Sequence, residues 1–351
     1  MLSATAEAAD WPEAEPEATG FRTDPGDSLD AAVDAGELEY LHGVVVIKDG
    51  QLVTERYYPG RDWRWGRDLG VVDFDADSIH DLRSVTKSIV GLLYGIALDE
   101  GLVPPPDAVL VEQFPAYEDL IADPKRRRML VWHALAMKLG TEWNEELPYS
   151  DPRNSEIAME MAPDRYRFVL DRPFVKKPGS WWDYNGGATA LIAHLIERGS
   201  GQSLKDFARE RLFEPMGIEE IDWIQGSDGV YSAASGLRLR PRDLAKIGQL
   251  VLHGGRWEGR QLVPEAWLEE SFTPRTTLFS GIKYGYHWWL GETRAGAPWM
   301  AGFGNGGQRL FILPSAKLIV AVTAGRYNHP EAYKIPVAVI VEHVLPALAA
   351  H

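Results

Sequence analysis

Runs of apolar, β-branched residues lie near both ends of the chain. His42–Ile47 and Leu52–Tyr58 flank a turn that contains Asp49-Gly50. Because Asp-Gly between two such runs is the strongest short-range signal for a hairpin, we predict a pair of antiparallel strands here. Three more strand-like runs come late in the chain, at residues 286–290, 309–313 and 317–322.

Helical periodicity dominates the middle of the chain. Its clearest instance runs from Ser84 to about residue 101, where Val85, Ile89, Leu92 and Ile96 step by four, three and four residues. Apolar positions at this spacing are typical of one face of a helix packed on a core. The same spacing predicts helices near residues 27–35, 129–138, 155–170, 187–198, 203–214, 238–251, 264–272 and 330–349.

Strands at both ends with helices between them indicate the fold class. We predict an α/β (α+β) protein, with an antiparallel sheet built from N- and C-terminal segments, flanking helices and a large, mostly helical insertion. The predicted boundaries are an N-terminal arm and short helix at 1–36, a sheet lobe formed by 37–101 and 226–351, and a helical lobe at 102–225. Without an internal repeat or a flexible linker, the lobes are expected to form one cooperative unit.

Composition and charge narrow the class of partner. The chain has 351 residues, no cysteine and a formal net charge of −15. So acidic a surface repels phosphate backbones, and we expect no nucleic-acid partner. The lack of cysteine excludes disulfides and permits a reducing compartment. The N-terminus shows no signal-peptide pattern and no apolar run reaches membrane-spanning length, so we expect a cytoplasmic protein with no membrane partner.

The candidate chemistry lies at the start of the helix that begins near Ser84. Lys87 follows by three residues, which places both side chains on one side of the helix. A serine hydroxyl becomes a nucleophile when a neighbouring group takes its proton, and a buried lysine does this in its neutral form. Ser88 and Gly91 share this face and leave room for a ligand. A second Ser-x-x-Lys, starting at Ser280, has no apolar stripe and is interpreted as a loop.

Other chemical signals are weaker. The Gly26–Leu29 segment spells a hydrolase motif, but it follows an irregular arm and starts a helix that Ser28 would cap. The basic run Lys125–Arg128 is interpreted as a solvated loop. The histidines show no metal-ligand spacing, and His133, on an apolar helix, is interpreted as a hydrogen-bonded core residue. We therefore predict no metal and no cofactor.

Several motifs occur together in an order typical of one superfamily. They are Ser84–Lys87, His133–Gly140, Pro178–Tyr184, Ala234–Leu237, Arg242–Ala245, Tyr284–Trp289 and Gly304–Gln308. In this combination the chain resembles the serine β-lactamase and penicillin-binding-protein-like superfamily. The resemblance is to its class C-like branch, which includes esterases, D-aminopeptidases and nylon-oligomer hydrolases. It covers nearly everything after about residue 37.

The resemblance implies three catalytic side chains. Ser84 would attack a carbonyl and become acylated, Lys87 would assist removal of its proton, and Tyr184 would carry a proton between Ser84 and the leaving group. Whether Lys87 or Tyr184 is the general base stays open. The family's Tyr-x-Asn element reads Tyr184-Asn185-Gly186 here, so Asn185, one position early, is a substrate-binding candidate.

A third family element, Lys/His-Thr/Ser-Gly on a strand, corresponds by this resemblance to residues 299–303. No lysine or histidine occupies that segment, so a substrate carboxylate would lose its usual partner. A backbone N–H from this strand and that of Ser84 would form an oxyanion hole, with Gly302 as the first candidate for the second donor. Further substrate-binding candidates are Trp182, Trp288, Trp299, Phe303 and Asn305.

One main hypothesis and two alternatives result. We expect a cofactor-independent serine hydrolase that forms an acyl-enzyme at Ser84 and cleaves an ester or small amide of an uncharged or apolar small-molecule substrate. One alternative is a β-lactamase or D-alanyl carboxypeptidase-type amidase. The other is a non-catalytic binding protein on the same scaffold, which predicts loss of Ser84, Lys87 or Tyr184. The natural substrate and the oligomeric state stay open.

Overall fold

Antiparallel sheet structure joins the two ends of the chain. The computed structural model describes residues 11–278 and 281–349, and Ser280, interpreted above as part of a loop, lies outside these ranges. The strands are β1 (Leu41–Lys48), β2 (Gln51–Tyr57), β3 (Gly60–Arg64), β4 (Arg67–Val72), β5 (His80–Asp81), β6 (Asp222–Trp223), β7 (Leu237–Leu239), β8 (Arg256–Trp257), β9 (Arg260–Gln261), β10 (Thr276–Thr277), β11 (Lys283–Tyr284), β12 (Trp289–Glu292), β13 (Pro298–Gly304), β14 (Gln308–Leu313) and β15 (Leu318–Ala324).

Helices cover the sheet and fill the middle of the chain. They are α1 (Pro25–Asp34), α2 (Val85–Asp99), α3 (Glu118–Ala122), α4 (Val131–Leu135), α5 (Ser155–Glu160), α6 (Arg165–Leu170), α7 (Gly186–Ser200), α8 (Leu204–Ala208), α9 (Pro241–Leu252), α10 (Glu265–Ser271), α11 (Lys334–Ala338) and α12 (Leu345–Ala347). Among the described residues, no helix is long and apolar enough to cross a membrane.

The largest sheet has eight strands in the order β10-β11-β12-β13-β14-β15-β1-β2. Every neighbouring pair in it is antiparallel, and β1 from the N-terminal part pairs with β15 from the C-terminal part. Asp49 and Gly50 both have positive φ, at 51° and 77°, in the turn between β1 and β2. A tight hairpin turn whose twist matches its strands requires such values. The predicted hairpin and the predicted fold class are confirmed.

The sheet separates two hydrophobic cores. On one face, α2 packs against β13 and α7, and its residues from Val85 to Ala97 are all buried. On the other face, α1 and the C-terminal helices cover β1, β14 and β15. Because α2 is buried on every side, its polar residues lie inside the protein, where an unpaired charge is costly.

The structure corrects several predicted boundaries. The predicted helix at 238–251 begins at Pro241, and its first residues form β7 instead, since proline is favoured in the first turn. The predicted helix at 155–170 is two helices, because Asn154 caps α5 and Asp164 caps α6. The predicted strand at 286–290 begins at Trp289, after His287, whose φ is 59°. The final helix is interrupted by a π-helical turn at Val339–Val344.

Three small sheets lacked a clear sequence signal. One is the β3–β4 hairpin, another is the β8–β9 pair, and the third joins β5, β7 and β6. The third is built from strands of two or three residues that are far apart in the chain. Pairs this short carry no periodicity of their own, so only the packing around them defines them.

Candidate active site

Ser84 lies at the N-terminus of α2, at the mouth of a crevice. It is the residue before the first helical position and is 8% exposed. Arg83, just before it, has a φ of 48°, a left-handed value that few side chains adopt. The chain therefore turns sharply into the helix at the nucleophile candidate. Backbone strain of this kind clusters at functional sites.

Lys87 is held by three acceptors. Its Nζ lies 3.0 Å from Ser84 Oγ, 2.9 Å from the carbonyl oxygen of Ala234 and 3.3 Å from Glu156 Oε2. An ammonium group has three N–H donors and no acceptor, so these contacts use its full donor capacity. This arrangement is that of a charged lysine that donates to Ser84 Oγ.

The electrostatics of Lys87 agree with its contacts. Burial by itself would lower the pKa of Lys87, but the charge of Glu156, with smaller contributions from Tyr184 and Glu145, raises that pKa well above its ordinary value. Glu156 is held in turn by Ser235, whose hydroxyl donates to Glu156 Oε1 at 2.8 Å. A lysine with a raised pKa keeps its proton at neutral pH.

Tyr184 comes from the segment just before α7. Lys87 Nζ lies 4.8 Å from the centre of its ring, and the ring of Trp289 packs on it at 5.7 Å. Burial raises the pKa of Tyr184, while the charge of Lys87 and a hydrogen bond with Ser84 lower it, with a net upward shift. Ser84 and Lys87, predicted from one motif, and Tyr184, predicted from another, are thus brought together at one point.

A second carboxyl group beside this cluster gave no sequence signal. Glu145 accepts hydrogen bonds from the Trp143 indole at 2.6 Å, from the Tyr149 hydroxyl at 2.9 Å and from the backbone N–H of Gly186. Burial and the nearby charge of Glu156 raise the pKa of Glu145 to about 7. Glu145 and Glu156 follow no family motif named above and lie far from Ser84 in sequence, so only the fold reveals them.

The crevice in front of Ser84 has a volume of about 530 Å³. Ser84, Glu156 and Ser235 form part of its wall, together with Asn305 and the loop that follows β15. Aromatic side chains supply much of the remaining surface: Tyr40, Trp63, Trp65, Tyr149 and Tyr327. A largely apolar pocket with a few convergent polar groups is the usual form of a small-molecule site.

The structure places the predicted substrate-binding residues in different surroundings. Asn305 lines the crevice, and its amide group donates to Asn328 Oδ1 at 2.8 Å. Asn185 instead caps α7, where its Oδ1 accepts from the backbone N–H of Ala188 at 2.8 Å. Trp182 packs behind Tyr184, with a ring separation of 6.1 Å. Asn185 therefore has a local structural role that the sequence pattern did not indicate.

Three other candidates do not line this crevice. Trp288 is fully buried and packs edge-on against Phe272. Trp299 and Phe303 lie on the face of β13 that packs on the second core, because side chains alternate along a strand. These three side chains pack on other apolar groups, and their contact with a substrate stays a prediction.

Gly302 lies on the opposite face of β13, against the first turn of α2. A Cβ atom at this position would come within 2.9 Å of Val85 Cγ1 and 3.3 Å of Ser88 Oγ. Glycine therefore allows the strand to approach the helix of Ser84 closely. Its assignment as an oxyanion-hole donor remains a prediction.

Within the described ranges, one group of side chains could hold a metal ion. His42, Asp62 and His80 come from three separate strands, and a ligand atom of each lies within 4.8 Å of the others. His42 Nδ1 lies 2.9 Å from His80 Nε2, and the Tyr327 hydroxyl donates to Asp62 Oδ1 at 2.9 Å. Burial lowers the pKa of His42 to about 3. Within the described residues, His42 Nε2 and Asp62 Oδ2 are buried without a hydrogen-bond partner. No sequence signal indicated this group, because its three members share no spacing along the chain.

Two known proteins match this chain over different shares of its length. The 6-aminohexanoate-dimer hydrolase of Paenarthrobacter ureafaciens is 24% identical over 298 residues, covering 79% of this chain and 70% of that protein. The lovastatin esterase of Penicillium rubens is 25% identical over 146 residues, which cover 39% of this chain and 35% of that protein.

Solved structures share the fold. A Bacillus anthracis protein provisionally named a 6-aminohexanoate-dimer hydrolase has a TM-score of 0.77 at 21% identity, covering 98% of this chain and 90% of its own. Simvastatin synthase from Aspergillus terreus has a TM-score of 0.63 at 18% identity, covering 91% of this chain and 97% of its own. The family model described as Beta-lactamase matches residues 39–341. The chain therefore belongs to the β-lactamase family, and its relatives include hydrolases.

Proposed function

We propose that this protein is a serine hydrolase that forms an acyl-enzyme at Ser84 and cleaves an ester or small amide of a small-molecule substrate with an apolar body. The observation that carries the proposal is the contact of Ser84 Oγ with Lys87 Nζ at 3.0 Å, beside Tyr184 and at the wall of an aromatic crevice. A hydroxyl held by a cation and a phenol is the arrangement of an activated nucleophile. The proposal also keeps the expected cytoplasmic location and the absence of nucleic-acid and membrane partners.

The contacts of Lys87 disfavour it as the general base. Because its three N–H donors face Ser84, Glu156 and Ala234, and its pKa is raised, Lys87 has no free lone pair to accept a proton. Because the pKa of Tyr184 is also raised, only the minor phenolate form of Tyr184 would take the proton of Ser84. Tyr184 would accept it as a phenolate, a form that burial opposes and that Lys87 and the Ser84 hydrogen bond favour.

The proposed reaction has two halves. Ser84 Oγ forms a bond to the carbonyl carbon as its proton passes to Tyr184, and Tyr184 then protonates the leaving group as its bond to the acyl carbon breaks. In the second half, water gives a proton to Tyr184 and attacks the acyl carbon, and Ser84 regains a proton on release. The backbone N–H of Ser84 and one from β13 would stabilise the oxyanion in both halves.

The names of two relatives support hydrolysis of an ester or an amide. One relative is named for a dimer of aminohexanoate and another for an ester substrate. In this chain residues 299–303 carry no lysine or histidine. We therefore keep a β-lactamase or D-alanyl carboxypeptidase-type activity as the second candidate. The presence of Ser84, Lys87 and Tyr184 together disfavours a non-catalytic binding protein.

The proposal is tested by covalent labelling. A fluorophosphonate probe should add its mass once, on the peptide that contains Ser84, and Ser84→Ala should abolish the adduct. Ser88→Ala is the matched control, since Ser88 lies one turn further along α2 and donates to the carbonyl oxygen of His287 at 2.7 Å. Resistance of the folded wild type to the probe, or labelling that survives Ser84→Ala, would contradict the proposal.

A substrate panel then separates the two candidate activities. Hydrolysis rates are measured with 4-nitrophenyl esters, linear amides, D-alanyl peptides and nitrocefin. We expect the esters to show a burst of nitrophenol equal to the enzyme concentration, because the acyl-enzyme accumulates. Faster turnover of nitrocefin than of every ester and amide would favour the second candidate.

A further inference from the structure

The charged side chains at the crevice are unevenly balanced. Among its described lining residues, the permanently charged ones are Arg83 and Arg326, with Glu156 as the acid. Glu156 is already paired with Lys87 at 3.3 Å. Positive charge is therefore in excess among the residues that line the crevice, in a chain whose formal net charge is −15. A crevice lined by one sign of charge attracts ligands of the opposite sign.

Arg83 is a fixed part of this wall. Its guanidinium pairs with Asp81 at 3.0 Å and lies 4.5 Å from the centre of the Tyr327 ring. Asp81 is shared, because Arg238 also reaches it at 3.1 Å. Arg238 also has Asp62 and Asp222 at 4.0 Å, so Asp81 remains available to Arg83. Arg83 Nε has no hydrogen-bond partner in the described part of the chain. Arg83 thus has an unpartnered donor, but its side chain is only 12% exposed and is paired with Asp81, so it offers a ligand little besides its charge.

Arg326 is differently placed. It lies in the loop directly after β15, and its side chain is 29% exposed. Among the described residues, its nearest carboxylate oxygen belongs to Glu331, at 4.0 Å, and the other oxygen of Glu331 is held by Lys334. Its contact with His329 Nε2 is long, at 3.4 Å. Arg326 therefore keeps guanidinium donors for a ligand.

We propose that Arg326 binds a carboxylate at the far end of the substrate, with Arg83 adding to the field. This inference rests on the proposed hydrolysis at Ser84. The substrate class is an ester or amide with an apolar body, held between the aromatic walls, that ends in a carboxylate. A guanidinium matches a carboxylate with two parallel N–H donors, which gives orientation as well as affinity.

The inference revises the expectation of an uncharged substrate. That expectation rested on residues 299–303, where the resemblance implies the carboxylate-binding cation and none is found. The structure places Arg326 at the same crevice from a different element, the loop after β15. A missing cation on one strand therefore does not make the crevice neutral.

Matched esters test the proposal. The probes are mono-4-nitrophenyl suberate, which ends in a carboxylate, and its methyl ester, which has the same chain without the charge. We expect kcat/KM for the acid to be roughly ten-fold or more above kcat/KM for the methyl ester. A ratio of this size corresponds to the free energy of one hydrogen bond to a charged group. The preference should shrink as salt concentration rises, because the crevice is open to solvent. Equal or faster cleavage of the methyl ester would overturn the proposal.

Substitution assigns the effect to one residue. Arg326→Gln should remove the preference for the acid and leave kcat/KM for the methyl ester within about two-fold of wild type. Arg326→Lys should restore part of the preference, since it keeps the charge without the paired donors. The control is Arg256→Gln, at an exposed arginine on β8 outside the crevice, which should change neither value. Unchanged preference in Arg326→Gln would refute the assignment.

Binding without turnover separates this inference from the proposed reaction. Octanoate and octanamide are titrated into Ser84→Ala, with the fluorescence of the crevice tryptophans as the signal. We expect octanoate to bind more tightly than octanamide, and Arg326→Gln in the same background to abolish the difference. If no ester is cleaved yet octanoate is preferred, the proposed reaction fails and the carboxylate site stands. If esters are cleaved but the two ligands bind equally, only the carboxylate site fails.

Discussion

Glu156 Oε2 lies 3.3 Å from Lys87 Nζ, and both side chains are 1% exposed. This pair gives Lys87 its charge in an interior where an isolated ammonium would lose its proton. The lysine of the Ser-x-x-Lys motif is therefore held as a cation, one helical turn from the nucleophile. Its proposed part in the chemistry is to orient Ser84 and to stabilise negative charge on Tyr184.

Replacing the acid of this pair should damage both stability and activity. Glu156→Gln leaves the Lys87 ammonium buried without a counter-charge, which typically costs about 3–5 kcal/mol in the free energy of unfolding. The pKa of Lys87 should fall, because burial then outweighs the remaining charges. We expect lower denaturant midpoints in urea and a kcat/KM at least about ten-fold below wild type.

The matched control is Glu142→Gln. Glu142 forms an exposed ion pair with Arg172 at 2.8 Å, and such pairs contribute about 0–1 kcal/mol. If Glu156→Gln were as stable and as active as Glu142→Gln, Glu156 would not be what keeps Lys87 charged.

Tyr184→Phe tests the assignment of the proton carrier. The substitution removes one oxygen and keeps the ring that packs on Trp289. Because general acid–base catalysis contributes about 10²–10⁴-fold, we expect kcat/KM with 4-nitrophenyl esters to fall by that factor while the melting temperature changes little. Tyr284→Phe is the control, since Tyr284 is buried 5.0 Å from the same Trp289 ring. Comparable activity in the two variants would exclude Tyr184 as the proton carrier.

Glu145 should make stability depend on pH near neutrality. Its pKa in the folded protein is raised to about 7 from an ordinary value of 4.5. Between these values the folded state binds more protons than the unfolded state, so its contribution to stability is present below pH 4.5 and is lost as pH rises through 7. Glu145→Gln stays neutral and keeps an acceptor for Trp143 and Gly186. We therefore expect this variant to gain on the order of 1–3 kcal/mol over wild type above neutral pH, and little near pH 5.

Calorimetric melting at about pH 5, 7 and 8.5 measures this difference. The test depends on the sign of the pH dependence, because the stabilisation by Glu145→Gln must grow as pH rises. A shift of equal size at every pH would indicate a packing effect, and a loss of stability that grows with pH would show that the Glu145 carboxylate is favoured in the folded state.

Gly302→Ala tests the contact between β13 and the nucleophile helix. The new Cβ would meet Val85 Cγ1 at 2.9 Å, which is closer than carbon atoms pack, so strand and helix must separate. If β13 supplies an oxyanion donor, this shift should lower kcat by up to about 10²-fold, with a smaller effect on KM. Ala301→Gly is the control, because Ala301 faces the second core. Normal kcat in Gly302→Ala would remove Gly302 from the oxyanion hole.

Local spacing was sufficient for part of this protein. The apolar steps from Val85 to Ile96 predicted α2, and Asp49-Gly50 predicted the first hairpin, because both depend on residues within one or two turns of each other. The same local rule places Lys87 beside Ser84. The motifs of the family then indicated Tyr184, which no periodicity would have found. The order of strands and helices along the chain was enough to predict the fold class.

Tertiary structure decided the charges and the surfaces of the site. Glu156 and Glu145 meet Lys87 from distant segments, so the protonation of Lys87 could not be read from α2 alone. Trp299 and Phe303 turn to the second core because the sheet face that carries the site depends on what packs against each side. Arg326 reaches the crevice only because β15 ends there. Spacing along a chain sets which neighbours share a face, whereas burial and counter-charge come from segments that meet only on folding.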